Sequence, residues 1–189
     1  MTDQALTGAK LAMPDIRLHG AVDDLMFQSC IAQFDGLNDR PDPIVVQLTT
    51  LGGAADTGRR IAREIGLRRG ALGRRVVLVG LTNVYSAGVT ILSGFLREDR
   101  FLSSACSLLI HERQMDANVS FSGPLSALRL VALGKLHEIQ EGIRLQNEGF
   151  RALVEGSSVS FDEVCVMARD TTYISAQDAF DRGLVAGLI

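Results

Sequence analysis

Short apolar runs alternate along the chain with longer segments in which apolar residues recur at helical spacing. Continuous apolar runs predict strands buried on both faces, whereas apolar residues three and four positions apart predict amphipathic helices. The predicted strands cover residues 16–18, 44–48, 76–81, 101–102, 108–110 and 185–189. The predicted helices cover 23–34, a segment that ends near 67, 86–96, 124–153, 160–169 and a short segment between 175 and 183. This alternation predicts an α/β fold with parallel strands joined by right-handed crossovers.

Length and composition favour one globular domain. The chain has 189 residues, 47% of them hydrophobic and 22% charged, which excludes a disordered or fibrous protein. We expect residues 1–14 to form a flexible arm and residues 15–189 to form a single domain. The net charge of −3 and the absence of tryptophan argue against nucleic-acid binding.

Cysteine usage and the lack of long apolar stretches indicate the cellular compartment of the protein. The three cysteines are scattered, which predicts neither a disulfide framework nor a zinc site. No apolar run is long enough for a signal peptide or a membrane span. We therefore expect a cytoplasmic protein that has no membrane partner.

The segment Leu51-Gly52-Gly53 lies between a predicted buried strand and a predicted helix. Two glycines there allow unusual backbone dihedrals and a close approach to a ligand, and their amides could face a negative charge. An ordinary strand-to-helix turn would also explain them. The spacing matches neither of the glycine-rich nucleotide-binding fingerprints.

Two further residues could carry acid–base or nucleophilic chemistry. Ser86 lies where a predicted strand meets a predicted helix, and a helix N-terminus favours the oxyanion that a serine nucleophile generates. Ser86 could equally be only an N-cap. His111 ends an apolar strand, and imidazole is well suited to accept a serine proton near neutral pH. A purely structural histidine is the alternative.

Seven arginines between positions 59 and 75 could form a patch for a polyanion or a protein partner. A solvated helix face is the alternative, and the acidic net charge together with the low aromatic content favours it.

In combination, these segments resemble the Clp protease proteolytic subunit family, whose Clp/crotonase-like fold repeats β-β-α units around a parallel sheet and carries a protruding long helix called the handle. The separation of 25 residues between Ser86 and His111 equals the family's serine-to-histidine spacing. The matching segments are Leu48–Gly53 with Gly58, Ser86-Ala87-Gly88, Arg100-Phe101, Ile110-His111, Tyr173–Ala176 with Ala179, and Gly183-Leu184-Val185.

The resemblance implies an ATP-dependent-type serine endopeptidase that hydrolyses peptide bonds inside an oligomeric ring chamber and needs no cofactor or metal. Ser86 would be the nucleophile and His111 the general base, with the amides of Gly53 and Ala87 forming the oxyanion hole. The family's acidic residue precedes the serine matched by Ser175 by four positions, and that position is Thr171 here. Asp170 lies one residue earlier. We predict Asp170 as the third catalytic residue, with Thr171 at the family position as the open alternative.

The resemblance also implies partners. We expect a homo-oligomeric ring, possibly a double heptamer, joined through a handle region at about residues 113–158. Unfolded polypeptide would be the substrate, and a ring ATPase unfoldase would deliver it. Two alternatives stay open: a weak or inactive Clp-like ring scaffold, and a crotonase-like acyl-CoA enzyme, which would not need Ser86 paired with His111.

Overall fold

A parallel sheet forms the centre of the computed structural model, which describes residues 8–37, 43–116 and 118–189. Its main path runs β1-β2-β3-β4-β7, and β5 joins the far end of β3 and pairs with β6. The strands are β1 (Ile16–His19), β2 (Ile44–Thr50), β3 (Val76–Tyr85), β4 (Arg100–Leu102), β5 (Ser107–Ile110), β6 (Thr172–Ser175) and β7 (Gly187–Leu188). All six predicted strands are therefore present, and β3 extends beyond its predicted end.

Helices connect the strands in the order that the periodicity predicts. Asp23, Ser160 and Ser175 act as N-caps whose side chains accept backbone hydrogen bonds, which fixes where three of the helices begin. The helices are α1 (Gly8–Leu11), α2 (Asp24–Asp35), α3 (Ala55–Leu72), α4 (Ala87–Ser93), α5 (Leu125–Val154), α6 (Phe161–Arg169) and α7 (Ala176–Asp181), with a 3₁₀ turn at Arg97–Asp99. Within the described ranges, none of them is both long and apolar enough to cross a bilayer.

One strand departs from the predicted parallel arrangement. β6 was not predicted, and it runs antiparallel to β5 with Ile110 opposite Thr172. Only one of its four side chains is buried, so the segment shows no apolar run. The connection from β5 to β6 passes through α5 and α6, and α6 ends just before β6 begins.

The main core lies between the sheet and the helices, and a smaller apolar cluster covers the other face of the sheet. In the smaller cluster, Leu11 of α1 packs against Val45, Val77 and Val79. Residues 8–11, which belong to the predicted arm, are therefore helical and in contact with the sheet. The division into an arm at 1–14 and a domain at 15–189 remains a prediction. Most of the predicted loop at 38–43 lies outside the described residues.

Helix α5 extends away from the core. Only Phe150 and Leu153, near its C-terminal end, are buried, whereas Leu125 and Leu130 are 85% and 70% exposed. The buried Arg100 side chain holds the base of this helix, since its guanidinium donates to the carbonyls of Leu153 at 2.7 Å and Ala152 at 2.9 Å. The anchored end of α5 forms one wall of the cavity described next.

Candidate active site

A cavity of about 380 Å³ opens between the first turns of α3 and α4, the C-terminal third of α5 and the chain that follows β5. Four of the residues singled out in the sequence line it together: Gly53, Ser86, Ala87 and His111. Two strand-to-helix turns and the end of a third strand therefore converge on one space. Parallel strands present their carboxyl ends at the same edge of a sheet, which explains this convergence.

Ser86 occupies a strained turn between β3 and α4. Its backbone has φ 54° and ψ −115°, a conformation that non-glycine residues rarely adopt and that clusters at functional sites. Its amide donates to Leu109 O at 2.9 Å, and its carbonyl accepts from Val89 N at 2.9 Å, so the turn is fixed on both sides. The Ser86 side chain makes no capping hydrogen bond, so the N-cap alternative does not account for this serine.

The double-glycine turn presents a backbone amide to the cavity. Gly52 and Gly53 have φ values of 107° and 147°. Val22 secures the turn, because its amide donates to Gly52 O at 2.9 Å and its carbonyl accepts from Ala54 N at 2.8 Å. Within the described part of the chain, the backbone N–H groups of Gly53 and Ala87 have no acceptor. Two donors are thus available to an anion beside Ser86.

The glycine turn and the serine turn are packed directly against each other. A Cβ atom added to Gly52 would lie 2.8 Å from Ser86 Cβ and 3.3 Å from its Oγ, and one added to Gly88 would lie 2.5 Å from Thr50 Cγ2. Larger side chains at these two glycines would force the turns apart. Both glycines are therefore required by the contact between the turns.

The His111 ring is oriented by a backbone carbonyl. Its Nδ1 lies 2.6 Å from Glu112 O. Because a carbonyl only accepts, Nδ1 carries the hydrogen in this arrangement, and a neutral ring of this tautomer has its lone pair on Nε2, where a general base needs it. Among the described residues, no hydrogen bond joins His111 to the Ser86 hydroxyl, although both line the cavity.

Asp170 and Thr171 lie where the antiparallel pair of β5 and β6 brings the chain back beside His111. Ile110 faces Thr172 in this pair, and Glu112 N donates to Ala168 O at 3.1 Å. Asp170 is the C-cap of α6, its side chain is exposed, and it does not line the cavity. Thr171 has φ 54°, a second strained position. In the described ranges, neither side chain hydrogen-bonds to His111, so which of them serves it remains a prediction.

An ion pair beside the cavity escaped the sequence analysis. The Arg113 guanidinium donates to both carboxylate oxygens of Asp56, at 3.0 and 2.6 Å, and these hydrogen bonds hold the pKa of the Asp56 carboxyl below its usual range. The Arg113 amide donates to Gln146 Oε1 at 2.6 Å. The three residues come from α3, the chain after β5 and α5. No periodic pattern links positions so far apart.

The arginine-rich segment divides between the surface and the cavity. Arg59 lines the cavity. Others form ion pairs at the surface, namely Arg60 with Asp24 and Arg68 with Glu64 and Asp35, whereas Arg75 pairs with the buried Asp99. The surface pairs agree with the interpretation of a solvated face. Within the described residues, no group of three His, Cys, Asp or Glu side chains is arranged to hold a metal ion.

Comparison with known proteins identifies the class to which this fold and cavity belong. The Clp protease family model matches residues 4–189, so the chain belongs to the Clp protease family, a family of serine peptidases. A point mutant of ClpP1 from Listeria monocytogenes has a similar structure, with a TM-score of 0.70 and 22% sequence identity. The similarity covers 92% of this chain and 90% of that one, which shows the Clp/crotonase-like fold. Comparison with curated proteins gives no match.

Proposed function

We propose that this chain is an active serine endopeptidase in which Ser86 is the nucleophile and His111 the general base. The observation that carries the proposal is the strained Ser86 turn, which shares one cavity with an imidazole and with two unpaired backbone amides. A binding module or a scaffold has no evident need for backbone strain at a serine. A nucleophile does, because the strain exposes its hydroxyl beside the oxyanion site.

In the proposed reaction, His111 Nε2 takes the proton from Ser86 as Oγ attacks the peptide carbonyl. The amides of Gly53 and Ala87 stabilise the negative charge that develops on the carbonyl oxygen. Loss of one such donor typically costs about 10²–10³ in rate. His111 then protonates the leaving amine, and water hydrolyses the acyl-enzyme by the same route in reverse.

Asp170 is the proposed third member. Two features support it. The antiparallel pairing of Ile110 with Thr172 returns the chain beside His111. Asp170 lies one position before the family's acidic position, and the left-handed backbone of Thr171 offers a way to accommodate that one-residue shift in the turn. A carboxylate at this place would stabilise the imidazolium by charge. Thr171 could only accept a hydrogen bond.

We further propose that the subunits assemble as a ring, possibly a double heptamer, that encloses the sites and receives unfolded polypeptide from a ring ATPase. The exposed apolar residues of α5 support an assembled state, because isolated subunits would leave Leu125, Leu130 and Ile143 in water. The three free cysteines are compatible with a cytoplasmic location.

Peptide hydrolysis by wild-type protein, Ser86→Ala and His111→Ala tests the proposal. We expect both substitutions to abolish hydrolysis, while a matched Ser104→Ala change at an exposed loop position leaves it intact. Equal rates in wild type and Ser86→Ala would refute the peptidase proposal. If a folded wild-type assembly hydrolyses nothing, the scaffold alternative is favoured, and acyl-CoA binding would favour the crotonase-like one.

A further inference from the structure

The cavity beside Ser86 has an apolar wall and a polar end. Val89, Leu145 and Phe150 supply apolar surface on α4 and α5. The polar end is formed by side chains of α3, α5 and the chain after β5, namely Asp56, Arg59, Arg113 and Gln146. A substrate side chain that enters here would need an apolar stem and a polar head.

Hydrogen-bond donors remain available at the polar end. Both oxygens of Asp56 accept from Arg113, and Gln146 Oε1 accepts from the Arg113 amide. The Gln146 amide N–H groups have no partner among the described residues and remain available as donors. Gln114 also lines the cavity, and its Nε2 donates to Glu112 O at 3.2 Å.

Arg59 adds a positive charge whose ion pair is long. Its partner oxygen, on Glu148, is 3.9 Å away, and that carboxylate is exposed and also contacts Arg144 at 3.3 Å. Arg113 is held by Asp56 at 2.6 Å, so Arg59 is the more loosely paired of the two arginines that line the cavity. An anionic head group would gain attraction and charge-assisted hydrogen bonds there, whereas a lysine would meet repulsion.

We propose that this cavity receives the side chain of the residue that supplies the scissile carbonyl, and that it selects an acidic side chain, glutamate above all. The inference rests on the proposed peptidase function. The oxyanion amides of Gly53 and Ala87 line the same cavity, so a carbonyl held by them places its own side chain next to the opening. Glutamate combines an apolar stem long enough to pass the wall with a carboxylate that accepts from Arg59 and Gln146.

Four peptides that differ only in the residue before the scissile bond, glutamate, glutamine, leucine or lysine, test the inference through their kcat/KM values. We expect glutamate to exceed glutamine about tenfold or more, since hydrogen bonds to a charged group are stronger than those between neutral groups, and lysine to be the poorest. Arg59→Gln should remove most of the glutamate advantage. Arg63→Gln is the matched control, since Arg63 lies one turn further along α3 and lines only the neighbouring outer groove.

The outcomes separate this inference from the proposal on which it rests. Hydrolysis of leucine and glutamate peptides at equal rates, or a glutamate preference that survives Arg59→Gln, would overturn the specificity and leave the peptidase function standing. If no peptide is cleaved, equilibrium binding of the same peptides to Ser86→Ala protein tests the specificity of the cavity independently of hydrolysis. Glutamate-selective binding that Arg59→Gln abolishes would support the specificity, and unselective binding would overturn it.

Discussion

Replacement of Gly52 by alanine tests whether the glycine turn holds the nucleophile in place. The added Cβ would lie 2.8 Å from Ser86 Cβ, and ordinary contacts of this kind begin at 3.4 Å, so the two turns must separate by about 0.6 Å. Both atoms are fixed to backbone, and no flexible side chain can yield. The displacement therefore moves the Ser86 hydroxyl relative to His111 and to the amides of Gly53 and Ala87.

The expected loss follows from that displacement. A misplacement of about 1 Å at a reacting group can cost about 10² in rate, so we expect kcat/KM of Gly52→Ala to fall roughly 10- to 100-fold. Alanine at φ 107° also strains the backbone, at a cost of order 1–3 kcal/mol in the free energy of unfolding. The loss of activity must therefore be distinguished from a loss of folded protein.

Gly20→Ala provides the matched control. Gly20 has a similar φ of 101°, yet a Cβ there meets no atom within 4 Å. Denaturant unfolding should show the cost of backbone strain in both variants and a further loss in Gly52→Ala from the contact with Ser86, and peptide hydrolysis by the folded protein should fall only in Gly52→Ala. Wild-type kcat/KM in a folded Gly52→Ala protein would refute the argument that this glycine positions Ser86.

Three further predictions concern the acid, the buried arginine and the buried thiols. Asp170→Asn should lower kcat by about 10⁴ if the carboxylate serves His111; a change of less than twofold would leave the Glu112 carbonyl as the group that orients the ring. Arg100→Met should lower the free energy of unfolding by at least about 3 kcal/mol in urea titrations, because several buried carbonyls lose their donor; a fully stable variant would contradict the anchoring role. Burial raises the pKa of Cys30 and Cys106 to about 12, so these thiols ionise near pH 9 only in the unfolded chain. The contribution of these neutral thiols to the free energy of unfolding is complete below about pH 9 and is lost as the pH rises toward 12. At about pH 10.5 each thiol has lost about 2 kcal/mol of this contribution. The free energy of unfolding should therefore decrease less between about pH 8.5 and about pH 10.5 in a Cys30→Ala/Cys106→Ala double variant than in wild type. An equal decrease in the two proteins would contradict this.

Long periodic segments made most of the fold predictable from sequence. The helix predicted at 124–153 is found at Leu125–Val154, because its apolar repeat extends over many turns. β6 escaped prediction because a four-residue strand with one buried side chain has no usable pattern. Its antiparallel pairing depends on where α6 ends in space.

Some features of the candidate site could be predicted from sequence, and others could not. Ser86 and His111 could be singled out from sequence because each follows an apolar strand, and strands of one sheet bring their carboxyl ends together, so that both residues line one cavity. The strained backbone of Ser86 could not be foreseen, because serine has no general preference for that conformation. The Arg113–Asp56 pair was also out of reach, since it depends on the tertiary approach of segments 57 residues apart.

Mass-spectrometric mapping of the adduct formed with a fluorophosphonate tests the central claim most directly, because the reagent reacts with an activated serine hydroxyl. The account predicts an adduct on Ser86 in folded wild-type protein, and labelling that is at least 10²-fold slower in His111→Ala, as expected when the general base is lost. An unlabelled Ser86 in the folded assembly, or labelling at the same rate without the imidazole, would contradict it.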